Sequence, residues 1–398
     1  MKSKQQRRAI ILMSGGVDSS VSAALLKDQG YDVIGVYILG WTGTKDFPCH
    51  WQEEEADAKK VALQLGLPFY TVNLSKEYEK NVIDRFFAGY KKGITPNPDI
   101  LCNREIKFKA VWQAVRQFEP DYIATGHYAR ICKVTSSKSQ VTKRFPNLGL
   151  DTSEFVTCRH AIFKARDEMK DQSYFLWGID REMLPKILFP IGELEKSEVR
   201  ALAKKYQLPT ATKKDSQGIC FIGPLKVREF LTRQLRPRPG EAVLTDGRLI
   251  AQHQGAVLYT IGQRLAVGSV DWTGDVPPLF VIAKDSPNNR LIVGNETETE
   301  ADELIAGSAN WLGAAEFVSQ AKIRYRQKDV SVTLEAVSDG LKVKFSAPVR
   351  AITPGQSIVF YSNDDQLIGG AIIERVPLQE KIIQNLYVQQ QTQPSADR

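Results

Sequence analysis

Two hydrophobic patterns divide the chain. In the first half, apolar runs alternate with amphipathic stretches, which is typical of repeated strand–helix units. Apolar runs predict buried strands at Ala9–Met13, Asp32–Leu39, Phe69–Asn73 and Tyr122–Thr125. Helical periodicity predicts helices at Val21–Leu26, Glu53–Leu65, Lys76–Tyr90, Ile106–Phe118, Arg181–Leu188, Lys196–Tyr206 and Val227–Gln234. We therefore predict an α/β fold, a doubly wound parallel sheet whose ligands lie beyond the carboxyl ends of its strands.

The second pattern begins after the stiff, proline-rich stretch Leu235–Gly240. Short alternating runs separated by turn residues predict antiparallel strands. These lie at Ala242–Thr245, Leu279–Ala283, Arg290–Val293, Ala321–Arg326, Val330–Val337, Leu341–Phe345, Ser357–Tyr361 and Leu367–Ile373. The predicted domains are the α/β unit 1–234, a central β-rich domain 235–307, a C-terminal antiparallel β-barrel 308–376 and a partly disordered tail 377–398. Lys133–Thr157 is polar and aperiodic, which predicts a surface insertion.

Composition narrows the function classes. Lys and Arg number 53 against 46 Asp and Glu, and the resulting net charge of +7 suits a polyanionic partner. No apolar run is long enough to cross a membrane, so a cytoplasmic protein is expected. The five cysteines are scattered without a CxxC pair, so neither a metal site nor a disulfide framework is predicted.

The segment Ser14–Ser20 lies between the first predicted strand and helix. Gly15 and Gly16 allow the backbone to approach an anion closely. The N–H groups of the turn and the helix dipole then favour a phosphate. Asp18 would hold a loop amide or Mg²⁺. The Walker lysine is absent, so the loop is not an ordinary P-loop.

Two cysteines lie in polar, loop-like segments. Cys102 follows a loop stiffened by two prolines and precedes a predicted helix, a setting that favours the thiolate. Asp99 lies three residues earlier, near enough to act as a proton shuttle. Cys220 lies in a glycine-flanked turn that follows Lys213 and Lys214.

The loop Ser14–Ser20 resembles the SGGxDS signature of the ATP pyrophosphatase (PP-loop) superfamily, whose members cleave ATP to AMP and pyrophosphate. Six further segments follow in the order found in bacterial tRNA-specific 2-thiouridylases. They are Thr95–Phe108, Ala124–Arg130, Lys170–Leu176, Asp215–Gly223, Tyr259–Arg264 and Lys322–Arg326. The chain therefore resembles that family over most of its length.

The resemblance implies an ATP-dependent enzyme that adenylates the C2 oxygen of the tRNA wobble uridine and then transfers sulfur from a cysteine persulfide. ATP and Mg²⁺ are the implied cofactors, and the implied partners are tRNA and a persulfide sulfur-donor protein. The implied ATP-binding residues are Met13, Ser14, Gly15, Gly16, Val17, Asp18, Ser19, Ser20, Ile38 and Gly126. The family often has methionine at the position of Ile38, where the contact is largely backbone.

The resemblance also implies the catalytic roles. Cys220 would receive the persulfide, Cys102 would release its sulfur by forming a transient Cys102–Cys220 disulfide, and Asp99 would be the general acid/base. Asn97, Pro98 and Asp99 would meet the target base. The other implied tRNA contacts are His127, Lys170, Asp171, Gln172, Arg324, Tyr325 and Gln356.

Two alternatives stay open at this point. One is another AMP-forming PP-loop ligase or RNA-modifying enzyme, which would not need the paired cysteines. The other is a non-catalytic tRNA-binding protein with a vestigial loop, against which the intact Asp18, Asp99, Cys102 and Cys220 argue.

Overall fold

The computed structural model describes residues 6–44, 47, 49, 51–133, 160–215, 227–265 and 277–392. Its first part contains β1 (Arg8–Leu12), β2 (Asp32–Leu39), β3 (Phe69–Asn73), β4 (Tyr122–Ala124), β5 (Arg130–Cys132), β6 (Ala161–Phe163) and β7 (Ile187–Leu188). Five of these strands form a parallel sheet in the order β3-β2-β1-β4-β7. After Arg8, strand β1 is apolar because Ile10 and Leu12 face one core while Ala9 and Ile11 face the other. The predicted doubly wound sheet is confirmed.

Helices cover both faces of this sheet. They are α1 (Val17–Asp28), α2 (Trp51–Leu65), α3 (Ser75–Tyr78), α4 (Asp84–Lys91), α5 (Pro98–Leu101), α6 (Val111–Ala114), α7 (Lys196–Lys205) and α8 (Val227–Leu235). Wider π-helical turns at Glu79–Ile83 and Cys102–Ala110 join α3 to α4 and α5 to α6. The predicted segment Arg181–Leu188 is instead a 3₁₀ turn, Arg181–Lys186, followed by β7.

The helix predicted at Ile106–Phe118 begins earlier, at Pro98. Asn97 caps it, since its side-chain Oδ1 accepts the N–H of Asp99 at 3.1 Å. Proline suits the first helical position because its missing N–H would have no helical partner there. The prediction was wrong because it took the two prolines as a loop signal, whereas Pro98 starts the helix.

Two β domains follow. The central sheet consists of β8 (Gly240–Val243), β9 (Leu249–His253), β10 (Phe280–Asp285) and β11 (Arg290–Gly294), in the order β10-β11-β8-β9. Next come β12 (Glu300–Trp311), β13 (Gln320–Lys322), β14 (Val330–Val337), β15 (Gly340–Arg350), β16 (Ser357–Tyr361) and β17 (Leu367–Arg375). They close into an antiparallel barrel in the order β12-β15-β14-β13-β16-β17, as predicted. Strand β12 crosses the boundary expected at 307/308, which was placed too late.

The strand predicted at Ala321–Arg326 is too long. Strand β13 ends at Lys322, and Arg326 has a φ of 65°, which belongs to a turn. Lys322, Arg324 and Arg326 alternate along the predicted strand, but they do not line one face of a strand because β13 ends at Lys322. Lys322 is buried and pairs with Asp171 at 3.3 Å, whereas Arg326 is exposed.

The segment expected to be a tail forms helix α9 (Pro377–Thr392). Leu386 is buried against the central sheet, in a cluster that includes Val243, Ile282 and Ile292. Helix α9 therefore returns the chain from the barrel to the central domain. The predicted insertion Lys133–Thr157 lies outside the described residues, apart from Lys133.

The barrel and the α/β domain share a polar, buried interface. The hydroxyl of Tyr174 donates to the carbonyls of Ile323 at 3.0 Å and Ser357 at 2.9 Å. Asn310 donates to the carbonyl of Trp177 at 2.6 Å. Each domain thus donates directional hydrogen bonds to the other, and these bonds fix the barrel relative to the sheet. In the part of the chain that the structure describes, no helix is long and apolar enough to cross a membrane.

Candidate active site

The glycine loop turns the chain from β1 into α1. Gly15 has a φ of 70°, and a Cβ there would overlap the backbone carbonyl of Glu54. Gly16 precedes the first helical residue, and its carbonyl accepts the N–H of Ser20 at 3.2 Å. The N–H of Ser14 donates to the Ser19 hydroxyl at 3.2 Å, which closes the turn. The loop is therefore a tight turn at the start of α1, where backbone N–H groups and serine hydroxyls are available to a phosphate.

The turn after β4 lies directly against this loop. A Cβ on Gly126 would stand 2.7 Å from the backbone nitrogen of Ser19, so only glycine allows the approach. Ile38 lies near the end of β2, the neighbour of β1 on the other side. Ile38 and Met13 are both buried, and their side chains belong to the cores on either side of the sheet. The predicted nucleotide-binding positions thus converge at the carboxyl ends of three adjacent strands.

Asp18 is held by two residues that the sequence did not single out. The Lys196 ammonium lies 2.8 Å from Oδ1 and 3.0 Å from Oδ2 of Asp18. The Tyr128 hydroxyl donates to the same Oδ1 at 2.9 Å, and burial together with Asp18 raises the pKa of Tyr128. Lys196 is the first residue of α7, where the helix dipole disfavours a cation. The Asp18 carboxylate offsets that cost. The unfavourable position of a lysine at a helix start was the one feature of the sequence that could have pointed to Lys196.

The same ammonium also reaches Asp215, at 2.8 Å from Oδ1. Asp215 further pairs with Lys170 at 2.8 Å and Arg200 at 2.6 Å. Burial alone would raise the pKa of Asp215, but the hydrogen bonds from Lys170 and Lys196 outweigh it and lower that pKa to about 2. Asp215 therefore stays ionised and links the glycine loop to Lys170, one of the predicted tRNA contacts.

The segment Thr95–Cys102, predicted to be catalytic and called the catalytic segment below, presents Asp99 and Cys102 on one helical face, since they are three residues apart in the continuous helix that begins at α5. Cys102 is fully buried, and the neighbouring Asn103 donates to the carbonyl of Phe175 at 2.9 Å. Arg104 lies 3.6 Å from the carboxylate of Glu105. Cys220 lies outside the described residues, so the geometry of the Cys102–Cys220 pair stays a prediction.

The predicted tRNA contacts fall into buried and accessible groups. His127 is buried, bonds the Thr125 hydroxyl at 2.7 Å, and has a pKa well below its usual value, chiefly because of burial and then of Lys107. Asp171 is 4% exposed and pairs with Lys322. The partly exposed contacts are Asn97, Asp99, Lys170, Gln172, Arg324, Tyr325 and Gln356, while Pro98 is buried.

Arg324 is fixed without a carboxylate partner among the described residues. Its guanidinium donates to the carbonyls of Ile261 and Ala351, both at 3.1 Å, and to the Thr353 hydroxyl at 3.2 Å. Burial lowers the pKa of Arg324, and nearby Arg350 lowers it further. Neutral oxygens position this cation but do not neutralise it, which suits an anion such as a phosphate.

Among the described residues, Cys49, Cys102 and Cys132 form no disulfide with one another. Within the described ranges, no group of three or more His, Cys, Asp or Glu side chains is arranged to hold a metal ion.

A phosphate-type glycine loop at the end of a parallel sheet, with Asp99 and Cys102 on one helical face of the same domain and two β domains attached, defines a nucleotide-dependent enzyme of the PP-loop class. Family profiles match all three parts. The tRNA methyl transferase HUP domain matches residues 7–224, the tRNA methyl transferase PRC-barrel domain 228–295, and the aminomethyltransferase β-barrel domain 301–373.

Individual relatives of this chain lead to the same family. The tRNA-specific 2-thiouridylase MnmA of Shouchella clausii is 42% identical over 94% of this chain and 99% of its own length. MnmA of Listeria monocytogenes is 44% identical, over 92% and 94%. The chain belongs to the tRNA-specific 2-thiouridylase family. Among solved structures, the U34-tRNA thiolase NcsA of Methanococcus maripaludis is 15% identical, covers 55% of this chain and 64% of its own, and has a TM-score of 0.33.

Proposed function

We propose that this chain catalyses the ATP-dependent 2-thiolation of the wobble uridine in tRNA. The observation that carries the proposal is the pairing of the glycine loop with Asp99 and Cys102 in a chain that aligns almost end to end with MnmA proteins. The net charge of +7 favours a nucleic-acid substrate, as does Arg324, which has no carboxylate partner within the described ranges.

ATP phosphates bind at Ser14–Ser20, with Ile38 and Gly126 beside the rest of the nucleotide. The shape of the loop fits, since Gly15 turns the chain with a φ of 70° and Gly16 directly precedes the first residue of α1, whose N-terminus favours an anion. Mg²⁺ would arrive with the phosphates, and Asp18 is the carboxylate in the loop that would bind it. Lys196 keeps Asp18 oriented at 2.8 Å.

The reaction begins at a poor electrophile. The C2 oxygen of uracil attacks the α-phosphate of ATP, so that pyrophosphate leaves and AMP becomes attached to that oxygen. AMP is then a good leaving group from C2. Asp99 moves the proton at the base, and Asn97 and Pro98 set the position of the base beside it.

Sulfur arrives as a persulfide on Cys220, supplied by a persulfide sulfur-donor protein. The Cys102 thiolate attacks Sγ of Cys220, forming the Cys102–Cys220 disulfide and releasing the terminal sulfur as hydrosulfide. Hydrosulfide attacks C2 and displaces AMP. The sulfane sulfur is reduced by two electrons while the two thiols are oxidised, so a thiol reductant must cleave the disulfide before the next turnover. Cys102 is fully buried, so its thiol is shielded from bulk water.

The test separates the two cysteines. With ³⁵S-persulfide donor, we expect wild type and Cys102→Ser to carry label and Cys220→Ser to lose it. Of these three proteins, only wild type would then produce 2-thiouridine and AMP from tRNA and Mg-ATP. ADP and orthophosphate as sole products, or full activity of Cys102→Ser, would contradict the proposal. Cys132→Ser is the matched control, because that thiol is exposed on β5.

A further inference from the structure

The turn between β15 and β16 lies on the start of the catalytic segment. The backbone N–H of Thr95 donates to the carbonyl of Pro354 at 2.9 Å. The side-chain Nε2 of Gln356 donates to the carbonyl of Thr95 at 2.6 Å. The barrel therefore takes both backbone polar groups of Thr95, a residue that is 8% exposed.

The barrel fixes this turn tightly. The N–H of Gly355 donates to the carbonyl of Ile373 in β17, whose own N–H donates to the carbonyl of Gln356, both at 2.8 Å. Gly355 has a φ of 90°, and a Cβ there would stand 2.8 Å from the nitrogen of Thr95. Only glycine allows the turn to come this close.

A short, stiff path joins Thr95 to the reacting groups. Pro96 packs against Gly89 of α4, where a Cβ would stand 2.8 Å from the proline ring. Asn97 then caps the helix that carries Asp99 and Cys102. Proline fixes its own φ and restricts the residue before it, so a displacement of Thr95 is transmitted to the cap and not absorbed.

The side chain of Arg324 hydrogen-bonds to the same turn. Its guanidinium donates to the Thr353 hydroxyl at 3.2 Å, and the carbonyl of Thr353 accepts the N–H of Gln356, also at 3.2 Å. Thr353 therefore joins Arg324, a cation suited to a tRNA phosphate, to Gln356, whose side-chain amide holds Thr95.

We propose that Gln356 is a positioning residue, through which the barrel holds the catalytic segment in its working geometry. The inference rests on the proposed function and extends it: the barrel completes the active site in addition to meeting tRNA. Gln356 acts through Thr95 and does not need to touch the reacting atoms. Small misplacements of catalytic groups cost up to about 100-fold in rate.

The test is Gln356→Met in the full-length protein, which keeps the side-chain volume and removes the donor. We expect the single-turnover rate of 2-thiouridine formation, at saturating tRNA and ATP, to fall about tenfold. The Kd for tRNA should stay within twofold. Gln379→Met is the matched control, because Gln379 on α9 donates to the carbonyl of Ile352 at 2.7 Å, beside the same turn. Its rate and its Kd should match wild type.

A second readout does not depend on thiolation. Alkylation of Cys102 by iodoacetamide, located by mass spectrometry, should become faster in Gln356→Met and in Gly355→Ala, and stay slow in Gln379→Met. A wild type that makes no 2-thiouridine would defeat the proposed function, while alkylation would still test the positioning. A weakened Kd with an unchanged saturated rate and unchanged alkylation would make Gln356 a tRNA contact only and would overturn the inference.

Discussion

The glycine loop and the catalytic segment are built in opposite ways. The loop Ser14–Ser20 is formed by neighbours in sequence: β1, a two-glycine turn and α1. The segment from Thr95 to Cys102 is instead held by Gln356, which lies 261 residues away along the chain. For the proposed function, the turn that would bind the phosphates is thus encoded locally, although Lys196 and Tyr128 hold its Asp18 from a distance, whereas the geometry of the sulfur chemistry would depend on docking of the barrel. The two regions should fail differently when they are mutated.

The largest expected effect falls on the local region. Gly15→Ala should raise the Kd for ATP more than 100-fold or prevent folding of the loop, because the new Cβ overlaps the Glu54 carbonyl and φ is 70°. Isothermal titration with ATP measures this. Gly30→Ala is the control: its φ is 82° but nothing lies within 4 Å of the added Cβ, so ATP affinity should be unchanged.

Next in size is the ion pair at the loop. Lys196→Gln leaves Asp18 without its cation and should lower the rate of AMP formation about 100-fold, with tRNA affinity within twofold. Asp18→Ala should behave alike. Product analysis with radiolabelled ATP and filter binding of tRNA give the two numbers. Lys205→Gln, an exposed lysine on the same helix, should have no effect; an equal loss there would mean that α7 is merely fragile.

A smaller effect is expected on tRNA binding by the barrel. Arg324→Ala should weaken tRNA binding by roughly 1–2 kcal/mol and flatten the salt dependence by about one unit, because one phosphate contact is lost. ATP affinity should not change. The measurement is a salt series of tRNA binding isotherms. A tRNA affinity that falls without any change of salt slope would show that Arg324 only supports the fold.

The smallest effect is on stability in acid. The pKa of Asp215 is lowered to about 2 in the folded chain, so its ion pairs stabilise the fold above its unfolded pKa. That contribution is lost as the pH falls from about 4 to 2 and amounts to about 1 kcal/mol, since the side chain is one-third exposed. Urea unfolding at pH 7 and pH 3 should show a smaller difference in Asp215→Asn than in wild type.

The same division between local and long-range contacts separates the features that the sequence predicted from those that it did not. Strand β1, the glycine turn and the closed barrel follow from hydrophobic period and turn residues, which are local signals. The helix start at Pro98 was also local, but the capping Asn97 was overlooked. Helix α9 carries a weak apolar face at Ile382, Ile383 and Leu386. The role of this face becomes clear only from its packing against the central sheet.

Other features needed tertiary contacts that no local pattern contains. Lys196 meets Asp18 from 178 residues away, and Gln356 meets Thr95 from the third domain. The strand predicted at Ala321–Arg326 was too long, because β13 ends at Lys322 and the chain turns. The buried pair of Lys322 with Asp171 shows that a basic residue in a predicted binding motif can serve the domain interface instead.

The central claim is that this chain places sulfur on C2 of a tRNA uridine at the expense of one ATP. The most direct measurement is nucleoside mass spectrometry of tRNA from cells that lack the protein, with wild type or Cys102→Ser restored. We predict that 2-thiouridine is absent without the gene, returns with wild type, and does not return with Cys102→Ser. Undiminished 2-thiouridine in cells that lack the protein, or its full return with Cys102→Ser, would contradict the account.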